Sequence, residues 1–392
     1  MKITHDPHQM IVTPAQLENF CATARAAGYL TFDTEFISES SYRPWLCLLQ
    51  AATTDCVVVI DPLAVTDLTV FWELLADPAV LKIAHASEQD LMLVRQYGDL
   101  IPQNMMDTQI AAGLVGLGYP LGYAKLVEEF CGHNLPKSHT YSNWGRRPLT
   151  TQQLQYAADD VRFIADMWVK LQKLVEEQGR MDWLKEACTE LIHDSTRVST
   201  PDELFRRVRG WGYLNADQLA ILRELAVWRN ETAAALDKPL RVIVKDEALV
   251  ELARKQSTKL PVIQSTLLLP RQYADPWGVE IQTAITHGMS RPDKPTPAKV
   301  THDIPGAKEL GDSLWLGFQS HCIGNALAPG LITNHAEIET FARRFLRNQP
   351  CDDLSLFTGW RRAAAGAWLV EFASGRVNLE MRIEGTALRV KK

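Results

Sequence analysis

The run Tyr29-Leu30-Thr31-Phe32-Asp33-Thr34-Glu35-Phe36 is apolar and strand-like, yet it carries two carboxylates one residue apart. The pattern on either side of it predicts a layered α/β domain. Upstream, Thr13-Pro14, apolar Leu17, Phe20, Cys21 and Ala24, and a closing Gly28 have the cap, first-turn proline and terminal glycine of an amphipathic helix. Downstream, residues 45–52 and 56–60 are apolar runs split by the polar turn Thr53-Thr54-Asp55, predicting a meander of three strands. Residues 68–75 have helical spacing, 80–84 form a short strand, and a helix starts at about Glu88. Asp107 caps a helix to about Leu117, and residues 122–130 form another. After Pro148-Leu149-Thr150 comes the longest helix of the region, residues 151–177. Strands first, then strand–helix alternation, predicts a sheet with helices on its faces.

Beyond this region the pattern is helical only. Leu219, Leu222, Leu225 and Trp228-Arg229 lead to Pro239, Ile243, Asp246, Leu249 and Leu252-Ala253-Arg254. The last of these have an echo 89 residues on, in Ile338 and Phe341-Ala342-Arg343. A proline-rich linker, Ser290 to Pro297, lies between. The expected division is an α/β domain at 1–178, a helical connector at 179–210, a helical domain at 211–289, a linker at 290–306 and a second helical domain at 307–392.

The length of 392 residues suits two or three domains, and a hydrophobic content of 46% is that of a globular protein. Seven scattered cysteines with no Cys-x-x-Cys pair read as reduced thiols rather than a disulfide frame or zinc site. Residues 1–10 are polar and proline-broken, and no apolar run approaches membrane-spanning length, so a cytoplasmic protein with no membrane partner is expected. The net charge of −6 argues against a nucleic-acid partner only at first sight. Residues 1–170 hold 11 Lys and Arg against 19 Asp and Glu, so the excess acid lies in the half with the paired carboxylates, where metal ions would offset it.

Side chains two apart on a strand share a face, so Asp33 and Glu35 stand side by side and repel unless cations sit between them. Hard oxygen ligands suit Mg²⁺ or Mn²⁺. The alternative is an edge strand with two solvated acids. Asp90 lies in the first turn of a helix, where the helix dipole alone favours an acid, but also at a strand end, where sites on open sheets gather. His85 reads as a hydrogen-bonded strand-end histidine. The loop with Lys137, Ser138, Tyr141, Trp144, Arg146 and Arg147 interleaves cations and aromatics, a combination that holds single-stranded nucleic acid. A solvated loop with Trp144 in the core is the other reading. Tyr156 and Asp160 are four apart on a helix and share a face, as does Asp159 at three. The chain has neither a Gly-x-Gly-x-x-Gly nor a Walker-type loop.

Taken jointly, Asp33-x-Glu35, Asp90 and Tyr156-x-x-x-Asp160 resemble the three motifs of the tyrosine-type DEDD 3′→5′ exonucleases. The pattern over residues 219–254, and its weaker echo, resembles the helical HRDC module. The resemblance implies a ribonuclease H-like mixed sheet flanked by helices, followed by two all-α HRDC-type domains, the second diverged. It implies that Asp33, Glu35, Asp90 and Asp160 hold two divalent ions, Mg²⁺ or Mn²⁺, with Asp33 bridging them and Glu35 near the attacking water. Tyr156 orients that water. The family spacing selects Asp160 over Asp159. Lys137, Trp144, Arg146 and Arg147 become candidate RNA contacts, as do Arg206, Arg207, Arg209, Arg343, Arg344, Arg347, Arg361 and Arg362. The implied partner is an RNA 3′ end, foremost that of a transfer RNA precursor, and no obligatory protein partner is implied. The polarity and the RNA preference rest on the resemblance alone. Two alternatives stay open, a DNA 3′→5′ exonuclease on the same scaffold and an RNA-binding scaffold with a decayed site. All five site positions being filled speaks against decay.

Overall fold

The computed structural model of the chain describes residues 9–135, 142–267, 271–297, 304–384 and 387–391. Lys137, Ser138 and Tyr141 lie outside them. The chain forms two compact units, one of Met1–Phe36, Leu46–Thr196 and Asp303–Lys392, the other of Ile37–Trp45 and Arg197–His302. Among the described residues no helix is long and apolar enough to cross a membrane.

The first unit is built on a six-stranded sheet of β1 (Gln9–Ile11), β2 (Tyr29–Ile37), β3 (Trp45–Ala52), β4 (Val57–Ile60), β5 (Leu81–Ala84) and β6 (Met105–Asp107). Their order is β1-β4-β3-β2-β5-β6. β3 and β4 are antiparallel, whereas β2, β5 and β6 run parallel. The three-residue strands β1 and β6 are too short for a period to register, and the sequence pattern did not predict them. With Thr31 abreast of Ile83, Asp33 and Glu35 lie past the last residue of β5, at the carboxyl edge of the parallel strands.

The helices of this region are α1 (Pro14–Ala27), α2 (Thr69–Ala76), α3 (Glu88–Gly98), α4 (Thr108–Leu114), α5 (Tyr123–Cys131), α6 (Thr151–Arg162), α7 (Ile164–Glu177) and α8 (Met181–Thr196). α1 begins in a reciprocal cap between Thr13 and Gln16 and ends at Gly28, whose φ of 75° suits a residue without Cβ. Neighbouring Ile83 and Ala84 point to opposite faces of β5 and fall in different apolar cores. One core holds Phe20, Phe32, Phe71 and Leu91, the other Leu114, Leu126, Leu171 and Leu184.

The helix predicted over residues 151–177 is two helices, broken at Phe163 with φ −97° and ψ −7°. The Val161 carbonyl, freed by the break, accepts from the Phe163 N–H and, at 3.0 Å, from the Thr31 hydroxyl on β2. The break thus ties α6 to the strand bearing the paired acids.

The second unit holds α9 (Pro201–Arg206), α10 (Ala216–Leu236), α11 (Leu240–Ile243), α12 (Asp246–Lys255), α13 (Leu260–Leu267) and α14 (Arg271–Ser290). Leu219, Leu222, Leu225, Leu249 and Leu252, singled out by their spacing, are its buried core. The segment 37–45 is part of this unit: the Tyr42 hydroxyl donates to Asn230 Oδ1 at 2.9 Å, and the Arg43 N–H to Asp237 at 3.0 Å.

The chain then returns to the first unit through α15 (Ala307–Gly324), α16 (Pro329–Ile332), α17 (His335–Leu346), α18 (Gly359–Arg361) and α19 (Ala367–Ala373). Phe318, Phe341 and Trp360 share one core with Leu114, Leu171 and Leu184. Polar ties reinforce it: Ala328 N–H to Gly113 O at 2.8 Å, Arg180 to Leu114 O and Ala326 O, and Arg361 to Glu190 at 2.5 Å. A hairpin of β7 (Glu380–Glu384) and β8 (Ala387–Lys391) ends the unit. Its alternating Met381, Ile383 and Leu388, Val390 have strand period, a feature the all-helical reading of this region does not include.

Candidate active site

β2 supplies Asp33 and Glu35, and α6 supplies Asp160. One carboxylate oxygen from each lies within 4.8 Å of the others, and all three side chains are partly exposed. This is the spacing of oxygen donors around a hard divalent cation, and the set fits one.

Asp90 approaches from α3 and is buried. It accepts a hydrogen bond from Thr34, which points to the opposite face of β2 from its two acidic neighbours. The turn into α3 is fixed by Asp107, which caps α4 through Gln109 N–H at 2.8 Å and accepts from the N–H and hydroxyl of Ser87, both at 2.9 Å. Ala86, inside this turn, takes a left-handed backbone with φ 55°. His85 is a hydrogen-bonded strand-end residue, its Nδ1 2.9 Å from the Thr108 hydroxyl.

The electrostatics register four acids crowded together. Burial, then repulsion from Asp90, Asp160 and Glu35, holds the Asp33 carboxyl well above the usual carboxylate range. Burial and repulsion from Asp160 and Asp90 push Glu35 up to about 8. Burial raises Asp90 to about 7 against the pull of the Thr34 hydroxyl, and burial with the charge of Asp159 raises Asp160 to about 8. Positive charge placed among them would reverse these shifts.

α6 presents Tyr156 and Asp160 on one face, and the tyrosine hydroxyl hydrogen-bonds the Asp160 carboxylate. Burial and the nearby carboxylates raise the Tyr156 pKa above its ordinary value. Asp159 is turned elsewhere, held by Gln155 at 2.9 Å and Arg162 at 3.2 Å. Its carbonyl accepts from the Tyr123 hydroxyl at 2.7 Å.

Of the four loop candidates, Lys137 is outside the described residues. Trp144 is 3% exposed, with its ring 6.0 Å from that of Tyr156. The Arg147 guanidinium grips both oxygens of Asp61 at 2.7 Å and reaches the carbonyls of Cys47 and Trp144 at 2.8 Å. Arg146 is exposed. The ties of Thr34 to Asp90, Asp61 to Arg147 and Asp107 to Ser87 escaped the sequence reading, which did have Asp107 as the cap of α4. Thr34 carried a signal, as the residue between two acids on the other strand face, whereas Asp61 and Asp107 read as ordinary turn and cap residues.

Comparison with known proteins gives a match to the 3′-5′ exonuclease family over residues 8–176 and to the HRDC domain over residues 218–267. Fold and site together define a metal-dependent 3′→5′ exonuclease domain joined to a helical HRDC region. Ribonuclease D of Granulibacter bethesdensis is 32% identical, over 95% of this chain and 94% of the relative. Ribonuclease D of Pseudomonas paraeruginosa is 33% identical, over 94% and 98%. The crystal structure of Escherichia coli RNase D superposes with a TM-score of 0.81 at 28% identity, covering 94% of this chain and 99% of that one. The chain belongs to the ribonuclease D family and is a 3′→5′ exoribonuclease.

Proposed function

We propose that this enzyme trims 3′ extensions from structured RNA, foremost transfer RNA precursors, releasing nucleoside 5′-monophosphates. The observation that carries the reading is the convergence of Asp33, Glu35 and Asp160 oxygens within 4.8 Å, with Tyr156 hydrogen-bonded to Asp160. The Escherichia coli relative, described as an exoribonuclease involved in structured RNA processing, supports the substrate class.

Asp33, Glu35, Asp90 and Asp160 would hold two divalent ions, Mg²⁺ or Mn²⁺. Bound there, the ions supply charge for a phosphodiester under attack and lower the pKa of a water to near neutrality. An ordinary tyrosine pKa of about 10 keeps the proton on Tyr156 at neutral pH, so it is not the base. Its hydroxyl donates to Asp160, leaving oxygen lone pairs to accept from the attacking water and aim it at phosphorus. Glu35 is the second acceptor beside that water. The water oxygen bonds to phosphorus as the 3′ oxygen of the preceding nucleotide leaves and takes a proton, giving a shortened chain with a free 3′ hydroxyl.

Contacts outside the site fall to basic side chains without internal partners. Arg206 pairs with Asp202, Arg343 with Glu339, Arg344 with Asp353, Arg361 with Glu190 and Arg362 with Asp352. Among the described residues Arg207, Arg209 and Arg347 have no ion-pair or side-chain hydrogen-bond partner. Arg207 and Arg209 line a cleft of ≈ 500 Å³ with Arg241 and Lys245, a place for RNA phosphates. Digestion of matched RNA and DNA oligomers tests the substrate: faster shortening of RNA supports the reading, and equal or faster shortening of DNA points to the DNA exonuclease.

A further inference from the structure

Tyr156 aims the water only if its ring is held still, and the hydrogen bond to Asp160 on α6 fixes only its hydroxyl end. A tyrosine ring on a helix turns about two side-chain bonds, and packing against its face limits that motion. The described structure supplies Trp144, buried at 3% exposure, its ring centroid 6.0 Å from that of Tyr156 and tilted by 37°. Trp144 sits on a loop, seven residues before α6 begins, and a loop needs its own anchor.

That anchor is Arg147. Its Nε and Nη2 make a fork with both oxygens of Asp61, each at 2.7 Å, at the end of β4. Nη2 also reaches the Cys47 carbonyl on β3, and Nη1 reaches the carbonyls of Trp144 at 2.8 Å and Arg146 at 3.0 Å. One guanidinium thus ties the Trp144 backbone to two strands of the sheet. The Asp61 side chain is 9% exposed, and the Arg147 hydrogen bonds help hold its carboxyl below the usual carboxylate range against the effect of burial. A planar fork with five donors fits this task, and a lysine ammonium does not.

Resting on the function proposed above, we propose that Asp61, Arg147 and Trp144 form a brace that positions Tyr156 for the attacking water. Arg147 is then a positioning residue acting through Tyr156, not an RNA contact.

The test uses the full chain with Arg147→Lys, Trp144→Phe and Asp61→Asn, each also combined with Tyr156→Phe. Arg147→Lys is expected to lower kcat about tenfold to a hundredfold, the loss typical of a displaced catalytic group, with KM for an RNA oligomer and its salt dependence unchanged. In the Tyr156→Phe background the same change costs little more, because the residue it positions is already disabled. A readout independent of activity is the fluorine spectrum of protein labelled with 3-fluorotyrosine, the Tyr156 signal being the one lost in Tyr156→Phe. Arg147→Lys and Trp144→Phe are expected to shift or broaden it. A raised KM with a weaker salt dependence would make Arg147 an RNA contact and overturn the brace. So would a full additional loss in the Tyr156→Phe background, or an unmoved fluorine signal in both variants. If wild type digests no RNA, the proposed function fails, while the fluorine signal still decides the brace.

Discussion

The Thr34 hydroxyl donates to the Asp90 carboxylate, so the residue between the two acids of β2 holds the acid at the start of α3. This links the two faces of the strand. A hydrogen bond to a charged group contributes about 1.5–3 kcal/mol, a factor of about ten to a hundred. Thr34→Val keeps the shape and removes the donor, which pushes the Asp90 pKa further above about 7. The Mg²⁺ concentration for half-maximal activity at pH 7 should rise about tenfold or more, with partial recovery at pH 8.5. An unchanged metal requirement would remove Thr34 from the site.

Asp159 and Asp160 differ in surroundings although they are neighbours. Asp160 joins Asp33 and Glu35, whereas Asp159 is engaged by Gln155 and Arg162. Asp160→Ala should lower kcat by about a thousandfold or more, on the scale of losing a central catalytic group, and Asp159→Ala by only a few-fold. Single-turnover digestion of a labelled RNA compares them. The reverse order would shift the ligand by one residue along α6.

Much of this geometry was legible beforehand, for physical reasons that differ by residue. Asp33 and Glu35 stood out because strand period puts two acids on one face. Tyr156 and Asp160 stood out because helical period aligns residues four apart. The bounds of α1 followed from Thr13, Pro14 and Gly28, whose backbone preferences are local. The break at Phe163 was not legible, because the Thr31 hydroxyl that takes up the freed carbonyl is 130 residues away. Nor was the use of Arg147. An arginine in a polar loop reads the same whether it meets phosphate or, as here, Asp61 from 86 residues earlier. The shared core of residues such as Phe341 and Trp360 with Leu171 and Leu184 is likewise a tertiary fact, invisible to local spacing.

The crowded acids make stability depend on pH in a direction opposite to the common one. Their folded pKa values lie above the unfolded ones, with Glu35 and Asp160 at about 8 and Asp90 at about 7. Such groups stabilise the fold fully below the unfolded values near 4 and lose that contribution as pH rises through the folded values. In EDTA the melting temperature should therefore fall between pH 5 and 8.5. Added Mg²⁺ should raise it more at pH 8.5 than at pH 5, because the ion binds the ionised carboxylates. A metal increment that does not grow with pH would contradict the arrangement.

Free and paired arginines should separate in binding assays. The double change Arg207→Ala, Arg209→Ala removes two cations with no side-chain partner among the described residues and should reduce the salt slope of RNA affinity by about two. Arg344→Ala, which breaks a pair with Asp353, should leave that slope unaltered. Filter binding from low to moderate salt gives both slopes. Equal effects would mean the internal pairs open on binding.

Digestion of a 3′-extended transfer RNA decides whether these acids catalyse metal-dependent 3′ trimming of RNA. Wild type and Asp33→Ala are compared in Mg²⁺, Mn²⁺ or EDTA. Stepwise shortening from the 3′ end, with nucleoside 5′-monophosphates released, is expected of wild type with metal and in no other lane. Wild type that binds the RNA yet shortens it with neither ion, or Asp33→Ala as active as wild type, would contradict it.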